Sequence, residues 1–131
     1  MFKLTKKAEY ALIALRHLQM KDDMLCSSRE ISELYMIPKE ILAKVMQKMV
    51  KLDYIDGFKG SNGGYKLKKS LKKIRLAEFI EKIEGPLGLV DCNVNIDCAQ
   101  INQCNIKMPI NKINENIKLV FNKIKIADIT T

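Results

Sequence analysis

The sequence has few or none of the residue types and long apolar runs that are typical of several large protein classes. It contains no tryptophan and a single histidine, and no apolar run approaches the ~18 residues that a membrane-spanning helix needs. The first residues, Met1 to Lys7, lack an apolar stretch followed by a small-residue cleavage site. We therefore expect a chain that stays in the cytoplasm and does not enter a membrane.

The scarcity of histidine also argues against an enzyme. A cysteine nucleophile needs a base within hydrogen-bond reach, and the only histidine, His17, lies in the first predicted helix. We expect His17 to be an ordinary, partly exposed side chain, and we expect no catalytic activity.

Acidic residues are scarce in one block of the chain. Residues 39–75 hold 11 basic and 3 acidic side chains, whereas the rest of the chain holds 12 of each. The whole net charge of +8 therefore lies in this block, which is typical of a surface that binds a polyanion. A solvated lysine-rich face has the same composition, so charge alone does not decide between the two.

The spacing of apolar residues predicts a helix-turn-helix. A first helix is expected over residues 5–19, and Ser27 to Glu30 fit a capping box in which the serine oxygen and the glutamate cap each other's amides. Pro38 ends that second helix and suits the first turn of a third. The third helix is apolar on one side and carries lysines around the rest of its surface.

A β-hairpin is predicted directly after these helices. Two short β-prone runs, at residues 54–55 and 65–67, flank the glycine-rich stretch of residues 58–64. Beside a helix-turn-helix such a hairpin is a wing. A phosphate-binding loop is the weaker interpretation, because no Lys-Ser/Thr pair follows the glycines and they precede a strand.

Two more helices are predicted in the second half. One carries Leu76, Phe79, Ile80 and Ile83 and stops at Gly85. The other runs from Ile110 to Ile124 with an apolar seam that could pack on its own domain or against a second copy; we favour a twofold dimer. The fold class is mainly α with a small β-hairpin (α+β): a winged helix-turn-helix domain (1–84), a cysteine loop (85–108), and a dimerisation helix and tail (109–131).

Three cysteines in a polar, glycine-led loop suggest a metal centre. Cys92, Cys98 and Cys104 are each separated by five residues, so a flexible loop could bring three thiolates around one soft metal site. In a reducing compartment such cysteines are more often metal ligands or redox thiols than partners in a disulfide. Cys26, far from this loop, is expected to be a small buried hydrophobe.

Five segments carry a family pattern: residues 4–12, Ile37-Pro38 with the helix after it, and residues 59–65, 84–92 and 126–129. Together with the cysteine spacing they resemble the IscR/NsrR family of bacterial winged-helix regulators, which use an iron-sulfur cluster as a sensor. The resemblance covers nearly the whole chain. It implies a homodimeric transcriptional regulator, and we expect a repressor, whose affinity for a double-stranded DNA operator is set by the cluster.

The resemblance also implies which residues hold the cluster. Cys92, Cys98 and Cys104 would bind it, and Glu9 of the other subunit or a labile small ligand would complete the site. Three cysteines fit either a two-iron or a four-iron cluster. Where one branch of the family has a histidine after the last cysteine, this chain has Lys107, which cannot ligate as an ammonium.

The predicted DNA contacts lie in three elements. Lys39, Glu40 and Lys44 of the third helix are expected in the major groove, where lysines are more often phosphate contacts than base readers. Lys59 and Gly60 are expected at the wing. Ser28 is expected to hold a phosphate at the N-terminus of the second helix.

Two alternatives to the cluster remain open at this stage. The three cysteines could hold a structural zinc ion with Asp91, Asp97 or Glu9 as the fourth ligand. They could also act as a metal-free thiol switch, in which oxidation joins two of them.

Overall fold

The computed structural model describes residues 4–85, 103 and 105–130. Cys92, Cys98 and Cys104, together with Asp91 and Asp97, lie outside the described residues. In chain order the elements are α1 (Lys6–Lys21), α2 (Ser28–Tyr35), α3 (Lys39–Lys51), β1 (Ile55–Phe58), β2 (Gly64–Leu67), a 3-10 turn (Leu71–Lys73), α4 (Leu76–Glu84), α5 (Lys107–Lys123) and α6 (Ile126–Thr130). The prediction of a mainly helical chain with one β-hairpin is confirmed.

Side-chain caps set the starts of α1 and α2. Thr5 Oγ1 accepts a hydrogen bond from the Ala8 amide, and Ser27 Oγ accepts one from the Glu30 amide at 3.0 Å. The serine half of the predicted capping box is therefore confirmed. The Glu30 carboxylate, however, hydrogen-bonds to His17 on α1, so it fastens two helices together.

The turn between α2 and α3 is tight and internally bonded. Met36 adopts the left-handed conformation that ends many helices, and its amide donates to the carbonyl of Ser32. The buried Ser32 hydroxyl donates to the carbonyl of Ile37 at 2.6 Å. Pro38 then precedes the first residue of α3, as predicted. These contacts fix how α3 leaves α2.

The hairpin after α3 depends on two glycines. Strands β1 and β2 pair antiparallel, with Ile55 opposite Leu67 and Phe58 opposite Gly64. A Cβ at Gly63 would lie 2.2 Å from the carbonyl oxygen of Phe58, and one at Gly64 would lie 2.9 Å from the backbone of Cys26. Cys26 and Tyr65 exchange two backbone hydrogen bonds, so Cys26 adds a one-residue third strand to the wing.

The core lies between α1, α3, α4 and the strand ends, and the C-terminal segment returns to it. The Leu76 amide donates to the carbonyl of Ile124, and the Ile126 amide donates to the carbonyl of Ile74. Ile126 is fully buried in the same cluster as Phe79. The segment after α5 therefore packs into the winged-helix core.

Helix α5 differs at both ends from the predicted helix over residues 110–124. It begins three residues earlier, at Lys107. It ends at Lys123, because Ile124 takes an extended conformation and its carbonyl accepts a hydrogen bond from the Leu76 amide at the start of α4. Several large apolar side chains on and next to α5 are exposed: Ile106, Met108, Ile113, Leu119 and Val120. No helix among the described residues is long and apolar enough to cross a membrane.

Candidate nucleic-acid interface and sensor region

A cleft of about 720 Å³ lies between the N-terminus of α2, the C-terminal half of α3 and the wing. Its lining is rich in hydroxyl, amide and ammonium groups and in exposed backbone: Ser27, Ser28, Gln47, Lys51, Lys59, Gly60, Ser61 and Gly63. Groups of these types donate hydrogen bonds to phosphate oxygens and to the edges of bases. We call this surface the wing cleft.

The predicted DNA contacts separate into two groups in space. Ser28, Lys59 and Gly60 come from different elements, and all three line the wing cleft. Lys39, Glu40 and Lys44 are exposed on α3, which places them in the first half of that helix. The apolar side of α3 is buried, as predicted, through Leu42, Val45, Met46 and Met49.

Among the residues of the wing cleft that sequence reasoning missed, Gln47, Lys51 and Phe58 are the most informative. Gln47 and Lys51 are four residues apart on α3, so they lie on the same helical face one turn apart. That spacing was the signal available in the sequence. Phe58 lines the same cleft, and the Lys66 ammonium lies 5.4 Å from the centre of its ring. The pairing of Phe58 with Gly64 depends on the hairpin register, which the residue types alone leave open.

The start of the cysteine loop is tied to the DNA-binding helices. The ammonium of Lys48, on α3, donates to the carbonyl of Ile83 at 2.9 Å, near the C-terminal end of α4. The Glu84 carboxylate accepts hydrogen bonds from the amide and hydroxyl of Thr5, just before α1. Helix α4 then ends at Glu84 and is capped by Gly85, whose φ of 104° suits glycine. The predicted glycine stop is confirmed.

Glu9, expected from the family resemblance to be a cluster ligand, lies on the first turn of α1. Its carboxylate is 3.2 Å from the ammonium of Lys6, and about two-fifths of its side chain is exposed. A surface pair of this kind is worth little, so Glu9 can exchange it for another partner at small cost. Its predicted role as a ligand stays a prediction, as do those of the three cysteines.

The prediction that His17 is partly exposed is wrong. Its side chain is 2% exposed because it packs between α1 and α2. Its Nδ1 lies 2.8 Å from the Tyr35 hydroxyl, and its Nε2 lies 2.8 Å from a Glu30 carboxylate oxygen. The hydrogen bond to His17 lowers the pKa of Glu30. Cys26, buried as expected, lies beside this pair, and burial raises the pKa of its thiol to about 11.

Comparisons with known proteins agree with this architecture. The Rrf2 family, described as iron-dependent transcriptional regulators, matches residues 4–131. The transcriptional regulator NsrR of Oceanobacillus iheyensis is 33% identical over 112 residues, which cover 83% of this chain and 76% of that protein. Two solved structures share the fold. CymR, the global cysteine regulator of B. subtilis, superposes with a TM-score of 0.75 at 21% identity over 99% of this chain and 97% of its own. IscR of T. potens superposes with a TM-score of 0.73 at 22% identity over 98% of this chain and 85% of its own.

Proposed function

The chain belongs to the Rrf2 family of transcriptional regulators, and from this premise we propose that it is a homodimeric repressor whose operator affinity is set by an iron-sulfur cluster in its cysteine loop. The observation that carries the proposal is the wing cleft, where the N-terminus of α2, the C-terminal half of α3 with Lys51, and a lysine-bearing wing meet. Each of these is a DNA-binding device in winged-helix proteins.

Binding to DNA follows from the position of the donors. Helix α3 enters the major groove with Lys39, Glu40 and Lys44 toward the DNA, while Lys59 and Gly60 of the wing contact the adjacent backbone. Ser28 holds a phosphate at the N-terminus of α2, where the helix dipole favours an anion. The excess positive charge of residues 39–75 supplies the long-range attraction.

The proposed dimer is supported by the exposed apolar residues of α5. Met108 is 79% exposed, and Ile113, Leu119 and Val120 are also exposed along the same helix. Apolar residues that line one helix without cover from their own chain are typical of a contact with another protein. Two antiparallel copies of α5 related by a twofold axis would bury these residues and place two wing clefts on one DNA duplex.

The sensor of this proposal lies in the cysteine-bearing segment of the sequence between α4 and α5. Cys92, Cys98 and Cys104 offer three thiolates, the donor type that iron-sulfur clusters require, and Glu9 of the partner subunit is the carboxylate we assign to the fourth position. The exposure of Glu9 and its weak pairing with Lys6 support this assignment. A cluster held by these residues would supply iron that is open to attack by oxygen or nitric oxide, the class of signal we propose for this site.

Coupling between loop and DNA is supported by the contacts at the end of α4. Lys48 joins α3 to the carbonyl of Ile83, two residues before Gly85 and the loop. A change in the cysteine segment that moves the end of α4 would therefore also shift α3, the helix proposed to enter the major groove. Lys48→Met removes the hydrogen bond and should reduce the difference in DNA affinity between cluster-loaded and cluster-free protein.

The test of the proposal compares cluster loading in matched loop variants. Wild type, Cys98→Ala and Asn95→Ala are reconstituted anaerobically, and iron, sulfide and visible absorption are measured per chain. We expect a loaded wild type and Asn95→Ala, and a folded Cys98→Ala without cluster. A wild type that binds zinc but no sulfide would replace the proposal with a structural zinc site. A metal-free protein whose DNA affinity follows reductant would replace it with a thiol switch.

A further inference from the structure

The second feature of chemical interest is the group of His17, Cys26 and Glu30, far from the cysteine loop in sequence. Each residue offers one ligand atom, and the three atoms lie within 4.8 Å of one another. His17 comes from α1, Cys26 from the one-residue strand beside the wing, and Glu30 from the first turn of α2. Three separate elements therefore bring three different donors to one point.

The three ligand atoms could reach the spacing of a tetrahedral metal site by a small rearrangement, since all lie within 4.8 Å of one another. With metal–ligand bonds of about 2.0–2.3 Å, two ligand atoms of a zinc ion are about 3.3–3.8 Å apart. His17 Nε2 and the Glu30 oxygen are 2.8 Å apart, so they would have to separate by about half an ångström. Glu30 can move, because 46% of its side chain is exposed, whereas His17 and Cys26 are held by burial.

The donor set selects the kind of ion. Imidazole, thiolate and carboxylate together suit zinc and similar borderline metals, whereas calcium and magnesium prefer oxygen donors alone. Three protein ligands leave a fourth position on the solvent side, next to Glu30. We propose that His17, Cys26 and Glu30 form a binding site for one divalent transition-metal ion of the zinc type, independent of the cysteine loop.

Protons balance in this binding step without any further reagent. The Cys26 thiol gives up one proton to solvent as its sulfur binds the metal. To bind the metal through Nε2, His17 must carry its ring proton on Nδ1, from which it would be donated to the Tyr35 hydroxyl 2.8 Å away. Tyr35 can either donate or accept a hydrogen bond, so it serves both tautomers. It is thus the outer partner that orients the histidine for the metal.

A metal at this point would stiffen one edge of the wing cleft. Cys26 pairs through its backbone with Tyr65 of β2, and Tyr65 lines the cleft together with Ser27 and Ser28. Binding would therefore fix the N-terminus of α2 against the wing. The effect on DNA would add to that of the cysteine loop and would depend on a different metal.

The experiment uses Co²⁺ as a coloured probe for zinc in the full-length chain, under anaerobic conditions. Cys92→Ser, Cys98→Ser and Cys104→Ser are combined, so that Cys26 is the one remaining thiol. We expect one Co²⁺ per chain with a sulfur-to-cobalt charge-transfer band. In that background Cys26→Ser should abolish the band, and His17→Gln or Glu30→Gln should weaken Co²⁺ binding at least tenfold.

The matched control is Glu33→Gln, which changes a carboxylate on the same helix that pairs with Arg29 instead. It should leave Co²⁺ binding unchanged. Lys21 places a positive charge near both the thiol and Glu30, so Lys21→Ala should tighten binding a few-fold.

Two results would overturn the proposal. One is the absence of the charge-transfer band in the folded triple-serine protein, and the other is Co²⁺ binding that His17→Gln and Glu30→Gln leave unchanged. Should the triple-serine protein fail to fold, zinc is counted in the otherwise wild-type chain. There Glu30→Gln must lose one equivalent relative to Glu33→Gln, and equal zinc contents reject the site.

Discussion

Helices α3 and α5 have similar apolar spacing but opposite surroundings. In α3 the apolar side is buried within the chain through Leu42, Val45, Met46 and Met49. In α5 much of the apolar side is exposed, and the one residue buried there is Asn114. The period of a sequence therefore predicts a helix and its apolar side. It does not say whether that side meets the protein's own core or another copy.

The largest expected effect tests the buried side of α3. Leu42→Ala removes a fully buried side chain and should lower the free energy of unfolding by about 3 kcal/mol. Urea denaturation at one fixed chain concentration measures it, since dimerisation also affects stability. The control is Leu34→Ala, the same change at an exposed site on α2, expected to cost less than about 1 kcal/mol. Equal losses of unfolding free energy in the two variants would contradict the difference between a buried and an exposed leucine.

The next effect tests the exposed side of α5. Ile113→Glu combined with Val120→Glu places charges on the proposed dimer contact and should weaken dimerisation at least a hundredfold, or about 2.7 kcal/mol. Sedimentation equilibrium measures it. Met24→Glu, at an exposed apolar site before α2, is the control and should leave the dimer intact. A double variant that remains fully dimeric would place the interface elsewhere.

A smaller effect distinguishes the wing, which we expect to contact DNA, from α5, which we expect not to. Lys59→Gln on the wing should weaken DNA binding several-fold at low salt and reduce the slope of log affinity against log salt by about 0.9. Lys112→Gln removes the same charge from the exposed surface of α5 and should leave the slope unchanged. Fluorescence anisotropy at several salt concentrations measures both. Identical slopes for the two variants would remove Lys59 from the interface.

The smallest effect concerns the turn that leads into α3. Met36 is 91% exposed at φ 56°, where a residue with a Cβ is strained, so Met36→Gly should stabilise the protein by up to about 1 kcal/mol. Asp53→Gly is the comparison at φ 63°. It should gain less, because aspartate tolerates this conformation and Asp53 also pairs with Lys68 at 3.3 Å. Thermal unfolding of the two variants shows which substitution stabilises the protein more, and a larger gain for Asp53→Gly would contradict the prediction.

Local signals explain why most of the fold was predictable. Ser27, Pro38 and Gly85 mark helix ends through hydrogen bonds and backbone preferences that involve only near neighbours. The glycines of the wing act in the same way, because Gly63 lies close to Phe58 within one turn. The sequence predicts Ser28, Lys59 and Gly60 as separate DNA contacts. Only the fold shows that the three residues line one cleft.

Long-range pairing explains what the sequence could not predict. The burial of His17 depends on Glu30 and Tyr35, which are 13 and 18 residues away and satisfy both ring nitrogens. Without those partners a histidine is expected near the surface. The end of α5 depends on hydrogen bonds between residues 124–126 and 74–76, about 50 residues apart. No local pattern specifies either contact.

The central expectation is that the cluster state of the cysteine segment sets the affinity of the wing cleft for DNA. The direct measurement is the dissociation constant of the protein for a DNA duplex selected from a random pool. It is taken anaerobically at one salt concentration, with cluster-loaded and cluster-free wild type. We expect the two constants to differ at least tenfold, in line with common coupling energies, and Cys98→Ala to match the cluster-free value under both treatments. Equal constants for loaded and cluster-free wild type would contradict the account.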